Sequence, residues 1–322
     1  MAEISVVIPV LNESQNVLDV LEALVRQSCV PGEVCFVDAG SVDGTPDLVR
    51  QASKSSKYPF AVRVLELKSA FPGAGRNAGV RESRFDTIAC TDAGGVVDPQ
   101  WLARLTAPLQ DNPTVGLVVG GFEARGRTQF EHLVGLLTVR KTANLALLSA
   151  GGASVAFRKS AWEKAGGYAE DVYPCEDAVF LRAVLESGIR IERAPEALFY
   201  WKPRSSLRAL ARQYHHYAWG DATLGVNTRR HSLRIMFYLV LLLALLSGLS
   251  AWPAQAVVLA LLVYLGILSF RGWRQMQWPG AWLWAPLILL TKDLAQIAGW
   301  MKGQWNRLQR GPRNIHGRRT EG

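Results

Sequence analysis

The first two-thirds of the chain alternate short apolar segments with segments of helical pattern. Apolar runs occur at residues 4–10, 33–38, 62–67 and 87–92, and each has the length of a strand. A continuous apolar run, without alternation of polar and apolar residues, is typical of a strand that is buried on both faces. The pattern therefore predicts an α/β domain with a mostly parallel sheet covered by helices on both faces.

The last third of the chain contains longer apolar stretches. Residues 233–252 form a run of 20 residues, and a helix of that length would be about 30 Å long and would cross the hydrocarbon core of a bilayer. A second run, at 254–270, follows after a very short uncharged loop. Arginines flank the outer ends of this pair, at Arg229, Arg230, Arg234, Arg271 and Arg274. We therefore expect a multi-pass anchor in the inner (cytoplasmic) membrane, with the N-terminal domain on the cytoplasmic side.

A third apolar segment, 281–301, carries charges at its centre. Lys292 and Asp293 would each cost about 2.5–3.5 kcal/mol in the middle of a bilayer. The apolar residues of this segment recur every three to four positions and form one stripe. The pattern favours a helix that lies in the membrane interface, followed by a basic tail at 302–322.

Charge is distributed unevenly along the chain. Residues 1–201 contain 20 Lys/Arg and 24 Asp/Glu, a net charge of −4, whereas residues 202–322 contain 16 and 3, a net charge of +13. This distribution excludes a uniformly basic protein that coats nucleic acid, and it favours contact of the last third with anionic membrane lipids. We predict an N-terminal domain at 1–203, an interfacial amphipathic segment at 204–228 and a membrane anchor at 229–322.

Polar residues follow three of the predicted strands. Asn12, Asp38 and Asp92 lie at their carboxyl ends, the edge at which open α/β sheets bind ligands. Asp38 can accept a hydrogen bond from a base or a ribose, Arg76 can bind phosphate oxygens, and Asp92 can hold a divalent cation beside a diphosphate. These side chains together predict a nucleotide site.

The glycines suggest a dinucleotide cofactor as an alternative. Residues 73–79 read Gly-Ala-Gly-Arg-Asn-Ala-Gly. The fingerprint of nicotinamide-binding domains, however, has its glycines at the first strand–helix turn, and that turn here reads Val10-Leu11-Asn12-Glu13. The position of the glycines therefore disfavours nicotinamide chemistry.

Five short motifs follow one another along the chain. They are Val7-Ile8-Pro9-Val10-Leu11-Asn12-Glu13, Asp38-Ala39-Gly40-Ser41-Val42-Asp43-Gly44-Thr45, Gly75-Arg76-Asn77-Ala78-Gly79, Thr91-Asp92-Ala93, and Gly166-Gly167-Tyr168 followed by Glu176-Asp177. In this order they resemble the family 2 glycosyltransferases of the GT-A fold, and the resemblance covers residues 3–221. It implies a Rossmann-like catalytic domain followed here by a helical membrane region.

The resemblance also implies a reaction and the residues that serve it. It implies a nucleoside diphosphate sugar as donor, UDP- or GDP-linked, bound with Mg²⁺ or Mn²⁺, and inversion at the anomeric carbon. The positions that match the family's nucleotide site are Pro9, Asn12, Glu13, Asp38 and Gly40. By the same matching, Arg76 and Asp92 face the ribose, the diphosphate or the metal, Asp177 is the catalytic base, and Glu176 orients the base or an acceptor hydroxyl.

Two positions depart from the family pattern. Ala39 replaces the second aspartate that often ends the second strand, and Gly94 replaces the second carboxylate of the usual DxD metal motif. Metal binding would then rest on Asp92, the donor phosphates and a residue of the basic segment, for which His216 is the candidate.

Residues 212–221 read Arg-Gln-Tyr-His-His-Tyr-Ala-Trp-Gly-Asp. They loosely resemble the Gln/Arg-aromatic motif that closes over the diphosphate and acceptor in membrane synthases, which implies donor-site roles for Gln213 and Trp219. An amphipathic helix lying on lipid headgroups is the alternative for this stretch.

The sequence thus predicts an inverting glycosyltransferase at the cytoplasmic face of the membrane. Its acceptor would be a hydroxyl of a lipid-linked or membrane-proximal molecule, in glycolipid or envelope polysaccharide synthesis. Two alternatives stay open: transfer onto polyprenyl phosphate, and a non-catalytic subunit that binds sugar nucleotides within a polysaccharide assembly.

Overall fold

The structure of the protein, a computed structural model, describes residues 2–139, 152–247 and 252–310. Residues 248–251 of the first predicted span and residues 311–322 of the predicted basic tail lie outside the described residues. The chain divides into two compact units. The first contains residues 1–123 and 140–202, and the second contains residues 124–139 and 203–322.

Eight strands of the described residues form one sheet. They are β1 (Ile4–Val10), β2 (Glu33–Asp38), β3 (Ala61–Glu66), β4 (Thr87–Cys90), β5 (Gly95–Val97), β6 (Val115–Ala124), β7 (Val155–Arg158) and β8 (Arg190–Trp201). Their order across the sheet is β3-β2-β1-β4-β7-β6-β8-β5.

The described residues also form eleven helices. They are α1 (Val17–Val25), α2 (Thr45–Ser53), α3 (Pro72–Glu82), α4 (Trp101–Asp111), α5 (Gln129–Thr138), α6 (Lys159–Lys164), α7 (Glu176–Glu186), α8 (Leu207–Leu224), α9 (Thr228–Leu246), α10 (Trp252–Met276) and α11 (Ala281–Arg310). The α/β class predicted from the sequence is confirmed.

The first four strands have the predicted parallel arrangement. β2 and β4 both pair in parallel with β1, and β3 pairs in parallel with β2. Val6, Val7 and Ile8 of β1 are fully buried on alternating faces, which explains why the strand has no polar alternation. The rest of the sheet contains antiparallel pairs, β4 with β7, β7 with β6 and β5 with β8, so the whole sheet is mixed.

The glycines of α3 serve packing against the sheet. A Cβ atom at Gly79 would lie 2.4 Å from Cγ1 of Val7, and one at Gly75 would lie 3.4 Å from Cβ of Pro9. Only glycine at position 79 allows the helix to lie this close to β1. The Gly-x-Gly-x-x-x-Gly pattern is thereby explained without a dinucleotide.

In the second unit, α11 packs closely against α8. A Cβ atom at Gly299 would lie 2.1 Å from the carbonyl oxygen of His215, and one at Gly303 would lie 2.7 Å from that of Trp219. Glycines four residues apart share one helix face, so the two backbones approach each other there. The predicted apolar stripe is a different face of this helix, and it is largely exposed at Leu283, Leu287, Leu294 and Met301.

A chain of polar side chains connects α8, α9 and α11. Nε of Arg234 donates to Oδ1 of Asp293 at 3.1 Å, and the hydroxyl of Tyr238 donates to Oδ2 at 3.2 Å. Nη1 of Arg234 lies 3.1 Å from Nδ1 of His231. Because arginine only donates, Nε2 of this ring carries the proton and donates to Oδ2 of Asp221 at 2.8 Å. The cost expected for the Asp293 charge in an apolar helix is thus offset by a partner from another helix.

Replacing Arg234 by Leu should destabilise the second unit by about 1–3 kcal/mol, because Asp293 and His231 lose a charged donor. Arg229→Leu, at the exposed start of the same helix, should change stability by less than about 0.5 kcal/mol. Thermal unfolding of the full chain in detergent, followed by circular dichroism, measures both. Equal losses in the two variants would contradict a structural role for the connected side chains.

One helix of the described residues, α10, is long and apolar enough to cross a membrane, with a mean hydropathy of 2.0. Much of its surface is exposed, including Leu259, Leu262 and Ile267. The sequence predicted a multi-pass anchor, and the structure does not support it, because α9, which contains most of the first predicted span, is not apolar enough to cross a membrane. Every 18-residue stretch of the 19-residue α9 contains Arg229, Arg230 and Arg234, and three arginines oppose insertion of this helix into the hydrocarbon core.

Candidate active site

Three polar residues lie beyond the carboxyl ends of adjacent strands. Asn12, Asp38 and Asp92 follow or end β1, β2 and β4, which are neighbours in the sheet. α3 covers this edge, since Gly75 packs on Pro9. A ligand at the edge would therefore meet the ends of three strands and the start of one helix.

Asp38 has one carboxylate oxygen in use and one without a partner. Its Oδ2 accepts from the backbone N–H groups of Gly40 at 3.0 Å and Ser41 at 2.9 Å. Its Oδ1 is buried and has no hydrogen-bond partner among the residues that the structure describes. Gly40 has φ +94°, and a Cβ atom there would lie 2.6 Å from the carbonyl oxygen of Lys68, so the turn requires glycine. A buried acceptor without a partner is costly, which fits a ligand that supplies the donor.

Asn12 and Glu13 join the loop after β1 to the loop after β2. The backbone N–H of Asn12 donates to Oγ of Ser41 at 2.8 Å, and its Oδ1 accepts from Val42 N–H at 3.0 Å. The backbone N–H of Glu13 donates to Oγ1 of Thr45 at 2.9 Å. Both predicted nucleotide-site residues thus fix the shape of the edge through contacts with the turn that Asp38 begins.

Arg76 connects two carboxylates at the start of α3. Its Nη2 donates to Oδ1 of Asp92 at 2.8 Å, and its Nη1 donates to Oε1 of Glu176 at 2.7 Å. The guanidinium is 3% exposed and lies 5.5 Å from the ring centre of Tyr168. Burial alone would lower the pKa of Arg76, but Asp92 and Glu176 together raise it well above its ordinary value. The arginine is therefore a permanent positive charge between two acids.

Glu176 and Asp177 begin α7, beside this arginine. Burial raises the pKa of the Glu176 carboxyl, and the charge of Arg76 opposes that shift. The Asp177 carboxylate accepts from the backbone N–H of Gly152 at 2.9 Å and from that of Ala178 at 2.8 Å. Asp92 and the adjacent pair Glu176 and Asp177, far apart in the sequence, thus lie around one guanidinium and the helix start.

The sequence did not identify the hydrogen bonds that hold α3 against the segment leading to α7. The side-chain amide of Asn77 uses both of its atoms: Oδ1 accepts from Trp162 Nε1 and Tyr168 N–H, and Nδ2 donates to Tyr168 carbonyl and Glu170, each at 2.9 Å. Asn77 and Tyr168 belong to two of the five sequence motifs, but the motifs do not indicate that these residues contact each other.

The residues present fit a divalent cation that is bound together with a diphosphate. No group of three His, Cys, Asp or Glu side chains within the described ranges could hold a metal alone. The side chain of Asp92 is 42% exposed, and the neighbouring position Gly94 faces open space. Mg²⁺ is commonly bound by one or two carboxylates with substrate phosphates completing its shell. Asp92 meets that requirement as a single protein ligand.

The three other predicted site residues lie on α8, in the second unit. Gln213 is buried, accepts from Arg204 at 3.2 Å and donates to the hydroxyl of Tyr217 at 2.8 Å. The buried Nε1 of Trp219 has no hydrogen-bond partner, and His216 packs beside His215. Their roles at the donor site stay a prediction.

Two family models match the chain. The model described as Glycosyl transferase family 2 matches residues 5–162, and the model described as Glycosyl transferase family group 2 matches residues 87–293.

Curated relatives include poly-beta-1,6-N-acetyl-D-glucosamine synthases. That of Staphylococcus epidermidis is 22% identical over 251 residues, covering 73% of this chain and 60% of the relative. That of Staphylococcus aureus (strain COL) is 23% identical over 243 residues, covering 70% of this chain and 58% of the relative. The chain thus spans less than two-thirds of the length of these relatives.

Solved structures share the fold. The mannosyltransferase PcManGT from Pyrobaculum calidifontis, in complex with GDP-Man and Mn²⁺, has a TM-score of 0.63 at 20% identity and covers 95% of this chain and 88% of its own. Residues 1–349 of S. aureus TarS, in complex with UDP-GlcNAc, have a TM-score of 0.51 at 15% identity and cover 97% of this chain and 93% of their own. These likenesses confirm the GT-A fold expected from the motifs.

Proposed function

Because the chain belongs to glycosyl transferase family group 2 and is a glycosyltransferase, we propose that it transfers a sugar, with inversion, from a nucleoside diphosphate sugar to a hydroxyl acceptor. The observation that carries this proposal is the cluster in which Arg76 connects Asp92 with Glu176 beside the Asp177 carboxylate. In this proposal Asp92 offers a ligand for a metal-bound diphosphate, and Asp177, beside the same guanidinium, offers a general base.

The nucleobase of the donor is proposed to bind Asp38. Its unpartnered Oδ1 requires an N–H or O–H donor. Uracil and guanine carry a ring N–H on their Watson–Crick edge. The corresponding ring nitrogen of cytosine and adenine is an acceptor that would repel the carboxylate, and only the exocyclic amino groups of these bases donate. The carboxylate therefore favours a UDP- or GDP-linked sugar. The structural neighbours, solved with GDP-Man and with UDP-GlcNAc, are consistent with either.

The diphosphate is proposed to lie between Asp92 and the start of α3. Asp92 would hold Mg²⁺ or Mn²⁺ together with the phosphates. The metal would stabilise the negative charge that develops on the leaving diphosphate. Arg76 holds the Asp92 carboxylate in position and adds fixed positive charge near the phosphates.

Asp177 is proposed to act as the general base. As the acceptor oxygen bonds to the anomeric carbon, the bond from that carbon to the donor phosphate breaks, and the nucleoside diphosphate leaves with the electron pair. The acceptor proton passes to the Asp177 carboxylate. Two backbone N–H groups orient this carboxylate, and Glu176, held by Arg76, supports the helix start beside it.

The acceptor is proposed to be lipid-linked or close to the membrane, at the cytoplasmic face of the inner membrane. The apolar surface of α10 and the exposed leucines of α9 would contact lipid, and the arginines that begin α9 would contact anionic headgroups. Of the two proposed outlets, glycolipid and envelope polysaccharide synthesis, only the synthesis of a polysaccharide agrees with the names of the curated relatives.

The Asp38→Asn variant tests the donor assignment. The wild-type protein should bind UDP or GDP about 10-fold or more tighter than CDP and ADP, because only uracil and guanine can present a ring N–H to Oδ1. The side-chain amide of the variant would present either an oxygen or an NH₂ group, so this preference should fall or reverse. Calorimetric titration with the four nucleotides, with and without Mn²⁺, measures it.

Asp47→Asn, at an exposed site on α2, is the matched control and should leave the nucleotide preference unchanged. A wild-type protein that binds all four nucleotides equally would contradict the role of Asp38. A protein that binds none of them would contradict the proposed function itself.

A further inference from the structure

Two exposed aromatic rings stack on each other in the first unit. Phe71 and Tyr173 lie parallel, with ring centres 5.7 Å apart and an angle of 9° between the planes. They are 48% and 43% exposed. A single exposed aromatic residue is common on protein surfaces, but two that stack while staying half in water form a small apolar platform.

This aromatic pair stands beside the catalytic cluster. Phe71 immediately precedes α3, which carries Arg76, and Tyr173 lies four positions before Asp177. A Cβ atom at Gly73 would lie 3.3 Å from Cβ of Glu176, so the first turn of α3 contacts the start of α7. Four residues of chain reach at most about 14 Å, so the backbone of Tyr173 lies within that distance of the backbone of Asp177.

The two segments that carry the rings are fixed to each other. A Cβ atom at Gly73 would also lie 2.4 Å from the carbonyl oxygen of Ala169, which shows how closely they approach. Asn77 and Arg81, both on α3, bind Glu170 at 2.9 and 2.7 Å. The rings are therefore held in place before any ligand arrives, and little conformational entropy is lost on binding.

We propose that Phe71 and Tyr173 form an acceptor subsite that binds a pyranose ring by stacking, an inference that rests on the proposed function. A pyranose with equatorial hydroxyls presents axial C–H hydrogens on its face. These carry partial positive charge and pack well against the negative face of an aromatic ring. The acceptor must lie next to the base that takes its proton, and Tyr173 lies four positions before Asp177, the proposed base.

The donor does not explain the platform. Its base is assigned to Asp38, and its diphosphate to Asp92 and the start of α3. Phe71 precedes the start of α3, but an apolar ring face does not bind a diphosphate, and Tyr173 lies on the segment that leads into Glu176 and Asp177. The occupant best matched to this position is a sugar unit of the acceptor glycan.

Saturation-transfer NMR with methyl N-acetyl-β-glucosaminide as probe tests the subsite. In the wild-type protein, the axial hydrogens at C1, C3 and C5 should receive the strongest saturation. Phe71→Ala and Tyr173→Ala should weaken binding of the probe by about three- to tenfold, whereas Tyr173→Phe should retain it, because the ring is what stacks. Leu185→Ala, at a 42% exposed site near the other end of α7, is the control.

UDP and GDP titrations and binding to phosphatidylglycerol vesicles are measured on the same samples. If the nucleotides bind but the probe does not, or binds all variants equally, the subsite is contradicted while the proposed function stands. If neither nucleotide binds to the wild-type protein, the proposed function fails. Weaker binding of UDP and GDP in the alanine variants, or loss of vesicle binding with unchanged probe affinity, would overturn the acceptor assignment.

Discussion

Replacing Asp177 by Asn should lower the rate of transfer to a hydroxyl acceptor by about 10²–10⁴-fold, because the amide cannot take the acceptor proton. The amide has the size of the carboxylate but keeps only one oxygen for the backbone N–H groups of Gly152 and Ala178. Losing one of these bonds should cost about 1 kcal/mol, so the variant should still fold. The rate of nucleoside diphosphate release with acceptor present, together with a thermal melt, measures both effects.

Asp19→Asn is the matched control for this variant. Asp19 also stands in the first turn of a helix, α1, but it is exposed and distant in sequence from the cluster, so turnover should be unchanged. Near-normal turnover of Asp177→Asn would contradict the hydroxyl acceptor. It would instead favour an acceptor that is already an anion, such as polyprenyl phosphate, which needs no base.

The sequence was most informative where the structure depends on local pattern. β1 is almost entirely apolar and buried, as expected for a central strand covered on both faces, whereas the edge strand β3 carries Arg63 and Glu66 and is only half-buried. The antiparallel position of β7, between β4 and β6, could not be predicted from such a pattern. The short strand Val155–Arg158, three apolar residues and an arginine, has no feature that specifies the direction of its neighbour.

In the candidate site, too, features that follow from local pattern were predicted, and contacts between residues distant in the sequence were not. The strand ends identified Asp38 and Asp92, because the edge of a parallel sheet follows from topology alone. The contact of Arg76 with Glu176 joins residues 100 positions apart, and a sequence pattern contains no distance between them. Arg234 and Asp293, 59 positions apart, are a second example: the penalty for a charge in an apolar helix was estimated without its partner.

Arg76 is the residue on which the charge balance of the cluster depends. Glu176 is 6% exposed, and its carboxylate can be ionised there at neutral pH because the guanidinium lies 2.7 Å away. Removing one partner of a buried ion pair leaves the other charge without compensation, and this typically costs more than the pair itself contributes. A variant without the guanidinium therefore has to bury an unpaired carboxylate or protonate it.

Arg76→Met should accordingly destabilise the first unit by about 3–5 kcal/mol at pH 7, as measured by urea unfolding. Arg81 lies on the same helix as Arg76. Arg81→Met, which breaks the exposed ion pair of Arg81 with Glu170, should cost about 1 kcal/mol or less. Without Arg76 the pKa of Glu176 should rise further, so the deficit should shrink as the pH falls toward about 4.5, where the unfolded carboxyl also binds a proton. Adding Glu176→Gln should recover part of the loss at pH 7. A deficit that is independent of pH and unaffected by Glu176→Gln would show that Arg76 acts through packing rather than charge.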